Sequence, residues 1–235
     1  MRLDRFLAKR PHLGRKDVRR LLLQGRVQVD GETVTEGLTE VDGFSRICLD
    51  GDTLQAGNVR RYLMLHKPAG CVSATTDPQH RTVLDLLPEA ERDGLHIAGR
   101  LDGNTTGLLL LTNDGQWSRQ LTLPDSHLPK TYYVETAEPI GAHYAATFAR
   151  GLYFAFENIT TRPAQLEILG SHCARLTLTE GRYHQVKRMF GHFRNAVVRL
   201  HREQIGPLVL GDLPLGAYRA LSGAEVAGMR AGAAG

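Results

Sequence analysis

Cysteine is scarce in this chain of 235 residues: Cys48, Cys71 and Cys173 cannot build a disulfide framework and show no Cys-x-x-Cys spacing. A reducing compartment, the cytoplasm, is the expected location. Long apolar runs are missing too. The leucines at 108–111 make a run of four, against the roughly 20 residues a membrane helix needs, so no membrane partner is expected. Charges at Arg2, Asp4, Arg5, Lys9 and Arg10 break up the N-terminus, which argues against a secretory signal. His184, His192 and His201 share a region without any acidic companion between 181 and 202, and neither a His-Glu-x-x-His nor a Cys/His pattern occurs. Phosphate-cradling glycine loops are absent as well. Neither a metal nor a cofactor is expected. The composition that remains, 42% hydrophobic and 23% charged with a mean hydropathy of -0.26, describes a globular chain.

Charge of one sign is lacking only on average. The net charge is +4, but residues 1–30 hold nine Lys/Arg against three Asp/Glu, a balance of +6. Residues 181–202 hold six Lys/Arg and no acid, again +6, which leaves the remainder at −8. Two focused basic clusters have the form of a polyanion footprint or of two solvated helix faces.

Around the first cluster, Leu3, Phe6 and Leu7 follow helical spacing, as do Val18, Leu21 and Leu22, with Gly25 placed as a C-cap. Val27 and Val29 then alternate with polar residues, and Asp30-Gly31 and Asp50-Gly51 are tight-turn signals. Two helices followed by a small sheet are expected. Arg15, Lys16, Arg19 and Arg20 lie off the apolar stripe and, with Arg2, Arg5 and Arg26, could make one phosphate-binding face. The run "MRLDRFLAKR…GRKDVRRLLLQGRVQVDGETV" resembles the RNA-binding module shared with a small-subunit ribosomal protein, the S-four module, over residues 1–56. It departs from that pattern at Gly14, where a serine usually caps the second helix; glycine caps nearly as well.

Residues 57–60 read as a linker. Beyond it, strands are expected at 62–65, 108–111, 131–134, 165–169, 175–179 and 196–200, and helices at 116–122, 142–150, 183–193 and 222–229. That mixed order argues for an α+β domain over 61–230 around a mixed or antiparallel sheet. The Gly/Ala-rich end, 231–235, reads as a flexible tail.

Chemistry concentrates in three segments. Gly99-Arg100-Leu101-Asp102-Gly103-Asn104-Thr105-Thr106-Gly107 delivers a lone carboxylate beside an apolar strand, where it could serve as nucleophile or base, or simply make a turn. Lys130-Thr131-Tyr132-Tyr133 sends its two rings to opposite faces, one to pack in the core and one left free to stack on a displaced base. In Glu180-Gly181-Arg182-Tyr183-His184-Gln185-Val186-Lys187-Arg188-Met189-Phe190, the stripe of Val186, Met189, Phe190 and Phe193 leaves Arg182, His184, Lys187 and Arg188 displayed. A cation there could pair with Asp102 or hold phosphate.

Together these segments resemble the pseudouridine synthases of the RsuA family, over nearly the whole chain, with "GRLDGNTTGLLLLTNDG" as the most specific match. The resemblance implies catalysis by Asp102, a Tyr132 ring packed on the target base, and Lys187, rather than Arg188, paired with Asp102. Arg100, Arg182, His184 and Arg188 are expected to join the first cluster in binding RNA. "EGRYHQVKRMF" and "LHREQIG" are more similar to the small-subunit branch than to the large-subunit ones. The implied partner is ribosomal RNA in a small-subunit assembly intermediate, met by a monomer. A large-subunit synthase and a non-catalytic RNA-binding assembly factor are the rival readings.

Overall fold

The computed structural model describes residues 1–234; Gly235, the last residue of the expected tail, lies outside the described residues. Two units form, one of residues 1–60 and one from residue 61 onward. In the first, α1 (Leu3–Leu7) and α2 (Arg15–Leu23) precede β1 (Val27–Val29), β2 (Glu32–Thr33), β3 (Ile47–Leu49) and β4 (Asp52–Gln55). The sheet is antiparallel in the order β2-β1-β3-β4. Both Asp-Gly pairs turn as their sequence demands, with φ of 53° and 91° at Asp30 and Gly31 and of 54° and 90° at Asp50 and Gly51. Positive φ at both central residues is what a two-residue hairpin with right-handed strand twist requires. Leu3, Leu7, Val18, Leu21, Leu22, Val27 and Ile47 close the core. At the start of α2 the Gly14 N–H donates to the Asp17 carboxylate at 3.2 Å, so half of a capping box survives without a serine.

The second unit runs β5 (Tyr62–Lys67), β6 (His96–Ala98), β7 (Thr106–Thr112), α3 (Gly115–Thr122), β8 (Lys130–Thr136), α4 (His143–Arg150), β9 (Tyr153–Phe154), β10 (Ile159–Thr160), β11 (Gln165–Gly170), β12 (Cys173–Leu178), α5 (Gln185–Gly191), β13 (Val197–Ile205), β14 (Leu208–Val209), β15 (Tyr218–Ala220) and α6 (Gly223–Ala234). Its main sheet has the order β11-β12-β8-β13-β7-β5-β15, with β6 pairing β7 and β14 pairing β13. Every pairing is antiparallel except β13 with β7. The fold is α+β with a mixed sheet.

Alternation explains the uninterrupted leucines of β7. Leu109 and Leu111 enter one core with Leu63 and Leu65 of β5 and with Phe148, Met189 and Phe190 of α4 and α5. Leu108 and Leu110 enter a second core with Met64, Trp117, Leu121 and Met229, beneath α3 and α6. A central strand covered on both faces has no polar side to display. No helix among the described residues is long and apolar enough to cross a membrane.

Two local expectations change. The helix expected from 183 begins at Gln185, because His184 takes a left-handed conformation with φ 49° and ψ 31° that cannot continue a helix. Residues 231–234, expected as a tail, continue α6 to Ala234, in keeping with the high helix propensity of alanine.

Candidate active site

Asp102 lies on the loop between β6 and β7, and buried side chains hold that loop by its backbone. Lys67, wholly buried at the end of β5, donates to the carbonyls of Pro68, Gly103 and Thr105 at 3.0, 3.1 and 2.9 Å. Burial pushes its ammonium below the usual lysine value. Ser73 Oγ donates to the Leu101 carbonyl at 2.7 Å and accepts from the Leu101 N–H at 3.1 Å. From β13, Arg202 Nε donates to Leu108 O at 2.8 Å, and Nη1 reaches Arg100 O at 3.4 Å. The peptide units on both sides of Asp102 are therefore fixed without help from its carboxylate.

The sheet register sets the next group in line. Arg202 of β13 pairs with Tyr132 of β8 on one side and with Gly107 of β7 on the other. Arg202 Nη1 also makes a long contact, 3.5 Å, to the Tyr132 hydroxyl. One buried guanidinium thus ties the aspartate loop to the tyrosine, and its Nη2 has no protein partner among the described residues.

Facing this row, α5 and the residue before it bring the cations. Asp102 Oδ2 lies 3.3 Å from Lys187 Nζ, and Oδ1 lies 3.4 Å from His184 Nε2. The left-handed backbone at His184 costs roughly 1–2 kcal/mol for a non-glycine residue, a cost typical of functional positions. Its ring stacks on Tyr183, with centroids 3.9 Å apart and planes 20° from parallel. Glu180 anchors the segment by accepting from Gln185 Nε2 at 2.7 Å, Arg182 Nε at 2.9 Å and the Arg162 N–H at 2.9 Å. These groups line a cleft of about 490 Å³ with Asp102, Tyr132, Arg202, His184 and Lys187 on its walls.

Lys130 also lines the cleft, donating to Leu128 O at 2.9 Å. Burial, with the Arg202 charge as a smaller cause, lowers its pKa to about 8. Below that pH the folded protein carries a poorly solvated charge. Between pH 8 and the ordinary lysine value of 10.5, the unfolded chain holds a proton that the folded one lacks, so stability rises with pH. Lys130→Met should therefore be more stable than the parent at pH 7, by on the order of 1–2 kcal/mol after loss of one hydrogen bond. The gap should shrink as urea unfolding is repeated at pH 9 and 10. A gap that widens with pH would contradict this account.

The structure brings together Asp102, Tyr132, Lys187, His184, Arg100 and Arg182 around one cleft. Tyr132 is the more buried of the two tyrosines, at 8% exposure, and reaches the cleft from the core side. Tyr133 on the opposite face lies under Arg199. Arg188 turns away from Asp102: both its terminal nitrogens bond Glu157 at 2.6 Å. In the first unit, Arg2, Arg5, Arg15 and Arg19 line one groove, and Lys16 is exposed. Arg2 pairs with Asp4, Arg20 with Asp17 at 3.1 Å, and Arg26 with Asp50 at 2.7 Å through Nε; Arg20 and Arg26 stand outside the groove lining. Sequence reasoning assigned no role to Lys67, Ser73, Lys130 or Arg202. The only signal for Lys67 was a lysine closing an apolar strand before proline, and for Arg202 its place within the second basic cluster.

The sequence pattern described as RNA pseudouridylate synthase matches residues 61–192, and that of the S4 domain matches residues 1–44. The chain belongs to the RNA pseudouridylate synthase family. The synthase is 63% identical over 227 residues to Ribosomal small subunit pseudouridine synthase A of Pseudomonas aeruginosa, covering 96% of this chain and 99% of that one. It is 45% identical to the protein of that name from Escherichia coli, covering 97% and 99%. A solved structure described as a pseudouridylate synthase superposes with a TM-score of 0.71 at 40% identity, covering 97% of this chain and 99% of that one. The synthase is thus an isomerase with an S4 domain ahead of its catalytic fold.

Proposed function

We propose that the synthase converts a uridine of small-subunit ribosomal RNA to pseudouridine, with Asp102 as the catalytic carboxylate. The observation that carries the chemistry is Asp102 held 3.3 Å from Lys187 in a cleft that Tyr132 also lines. Small-subunit RNA is supported by relatives of that name matched across nearly their whole length.

In the reaction the bond between C1′ and N1 breaks, the uracil turns, C5 bonds to C1′, and the hydrogen on C5 leaves as a proton. Atoms balance without a donor, an oxidant or water. Asp102 acts at the sugar, either as nucleophile on C1′ or as base, and both roles require a carboxylate fixed beside the ribose. The Tyr132 ring packs against the extruded base, offsetting the roughly few kcal/mol needed to unstack it. Lys187 supplies the counter-charge to Asp102, while Arg100, Arg182 and His184 meet the RNA backbone around the cleft. Arg188 contributes through Glu157 instead of contacting RNA.

Residues 1–56 act as the RNA-holding module, through Arg2, Arg5, Arg15, Lys16, Arg19 and Arg20, with Arg26 as a further contact. Residues 57–60 link it to the catalytic domain at 61–230. The enzyme works as a monomer in the cytoplasm on a small-subunit assembly intermediate. The test places tritium at C5 of uridine. Release of label to water is expected from small-subunit RNA and not from large-subunit RNA. The reverse pattern would reassign the substrate while keeping the chemistry.

A further inference from the structure

Large aromatic side chains stand exposed beside the cleft, Tyr183 with one face on His184 and the other open. Phe156 is 98% exposed and Tyr183 75% exposed. Phe156 sits in the loop between β9 and β10, which is shaped by its own bonds. The Asn158 N–H donates to Ala155 O at 3.3 Å, the Tyr153 hydroxyl donates to Asn158 Oδ1 at 2.9 Å, and Asn158 takes φ 52°. The loop is also fastened to α5. Arg188 bonds the Glu157 carboxylate at 2.6 Å, reaches the Tyr183 carbonyl at 3.4 Å, and lies 3.6 Å from the Phe154 ring centroid. One arginine therefore fixes this loop beside the segment that carries His184, and Glu157 and Tyr183 both line the cleft.

Charge beside the Phe156 loop cancels locally, because Arg188 is matched by Glu157. Such a surface offers little to phosphates. A ring carried on a braced loop and contributing nothing to the core offers a face on which any unpaired base can stack. We propose that Phe156, with Tyr183, is a stacking platform for the unpaired nucleotides flanking the target uridine. The platform lengthens the RNA site beyond the base in the cleft, and it rests on the reading of that cleft as the place where the RNA reacts.

The test compares Phe156→Ala, Phe156→Trp and the parent in the full chain, by tritium release from small-subunit ribosomal RNA, both deproteinised and assembled with ribosomal proteins. Phe156→Ala should melt at the parental temperature, since the ring packs on nothing in the fold. Its kcat/KM should fall about 5- to 150-fold, the loss of one stacked base. The single-turnover rate at saturating RNA should stay within about twofold, and Phe156→Trp should match the parent. Because stacking releases no counterions, the slope of log affinity against log salt should not change.

Parental kcat/KM in the alanine variant would overturn the proposal. So would a flattened salt slope, which would mark a phosphate contact, or a loss seen only on RNA assembled with ribosomal proteins, which would mark a protein partner. Failure of the parent on small-subunit RNA, both deproteinised and assembled with ribosomal proteins, would instead refute the assigned substrate. The comparison then runs on the large-subunit RNA it does modify, with the same outcomes.

Discussion

Asp102→Asn is expected to leave the fold and RNA affinity intact while lowering turnover by at least about 10³-fold. The loop around Asp102 is held through backbone groups: Lys67 on Gly103 and Thr105, Ser73 on Leu101, and Arg202 on Arg100 and Leu108. None of these bonds involves the carboxylate, and the turn bond from the Thr105 N–H to the Asp102 carbonyl survives the substitution. Asparagine fills nearly the same space, so the change removes a charge and a nucleophile and little else. Tritium release from C5-labelled uridine reads the chemistry directly, while filter binding of the same RNA reads affinity. A variant releasing label at a rate near the parent's would remove Asp102 from the catalytic role. A variant that loses affinity as well would show that the carboxylate also organises the RNA site.

How much of this site the sequence could reveal depends on which interactions leave a local pattern. The Asp-Gly hairpins were legible because positive φ at two successive residues restricts the choice of residue so strongly. The stripe of Val186, Met189 and Phe190 was legible because a helix repeats its buried face. The short strands β6, β9, β10, β14 and β15 were not, since two or three residues carry little alternation and no two-residue Asp-Gly turn joins them to a partner strand as one joins β1 to β2. The choice of Lys187 over Arg188 came from resemblance to a family. The structure supplies the reason in Glu157, which lies 31 positions away and takes the Arg188 fork for itself. Lys67 and Arg202 stayed invisible for the same cause. A buried cation satisfied by backbone carbonyls leaves no complementary acid to read, because every carbonyl in a sequence looks alike.

Gly107 shows how a residue that reads as loop punctuation can be a steric requirement. It has φ 114°, and a Cβ built there would lie 2.3 Å from the Arg202 carbonyl oxygen and 2.5 Å from the Arg202 nitrogen. Both atoms are backbone of β13, at the parallel pairing of Gly107 with Arg202. No rotamer change can relieve that contact, so Gly107→Ala must push β7 and β13 apart or tilt one against the other. Leu108 to Leu111, which follow at once, feed the cores on both faces of the sheet. The displacement therefore reaches packing that cannot reshape cheaply. Strain at a left-handed position adds to the clash, and a loss of about 4 kcal/mol or more is expected. Urea unfolding of parent and variant at one pH measures it. Catalysis should fail with it, even in the fraction that folds, because the same strand contact sets the reach of Arg202 to Arg100 and Tyr132. An alanine variant with parental stability would mean that the two strands do not approach as closely as this register requires.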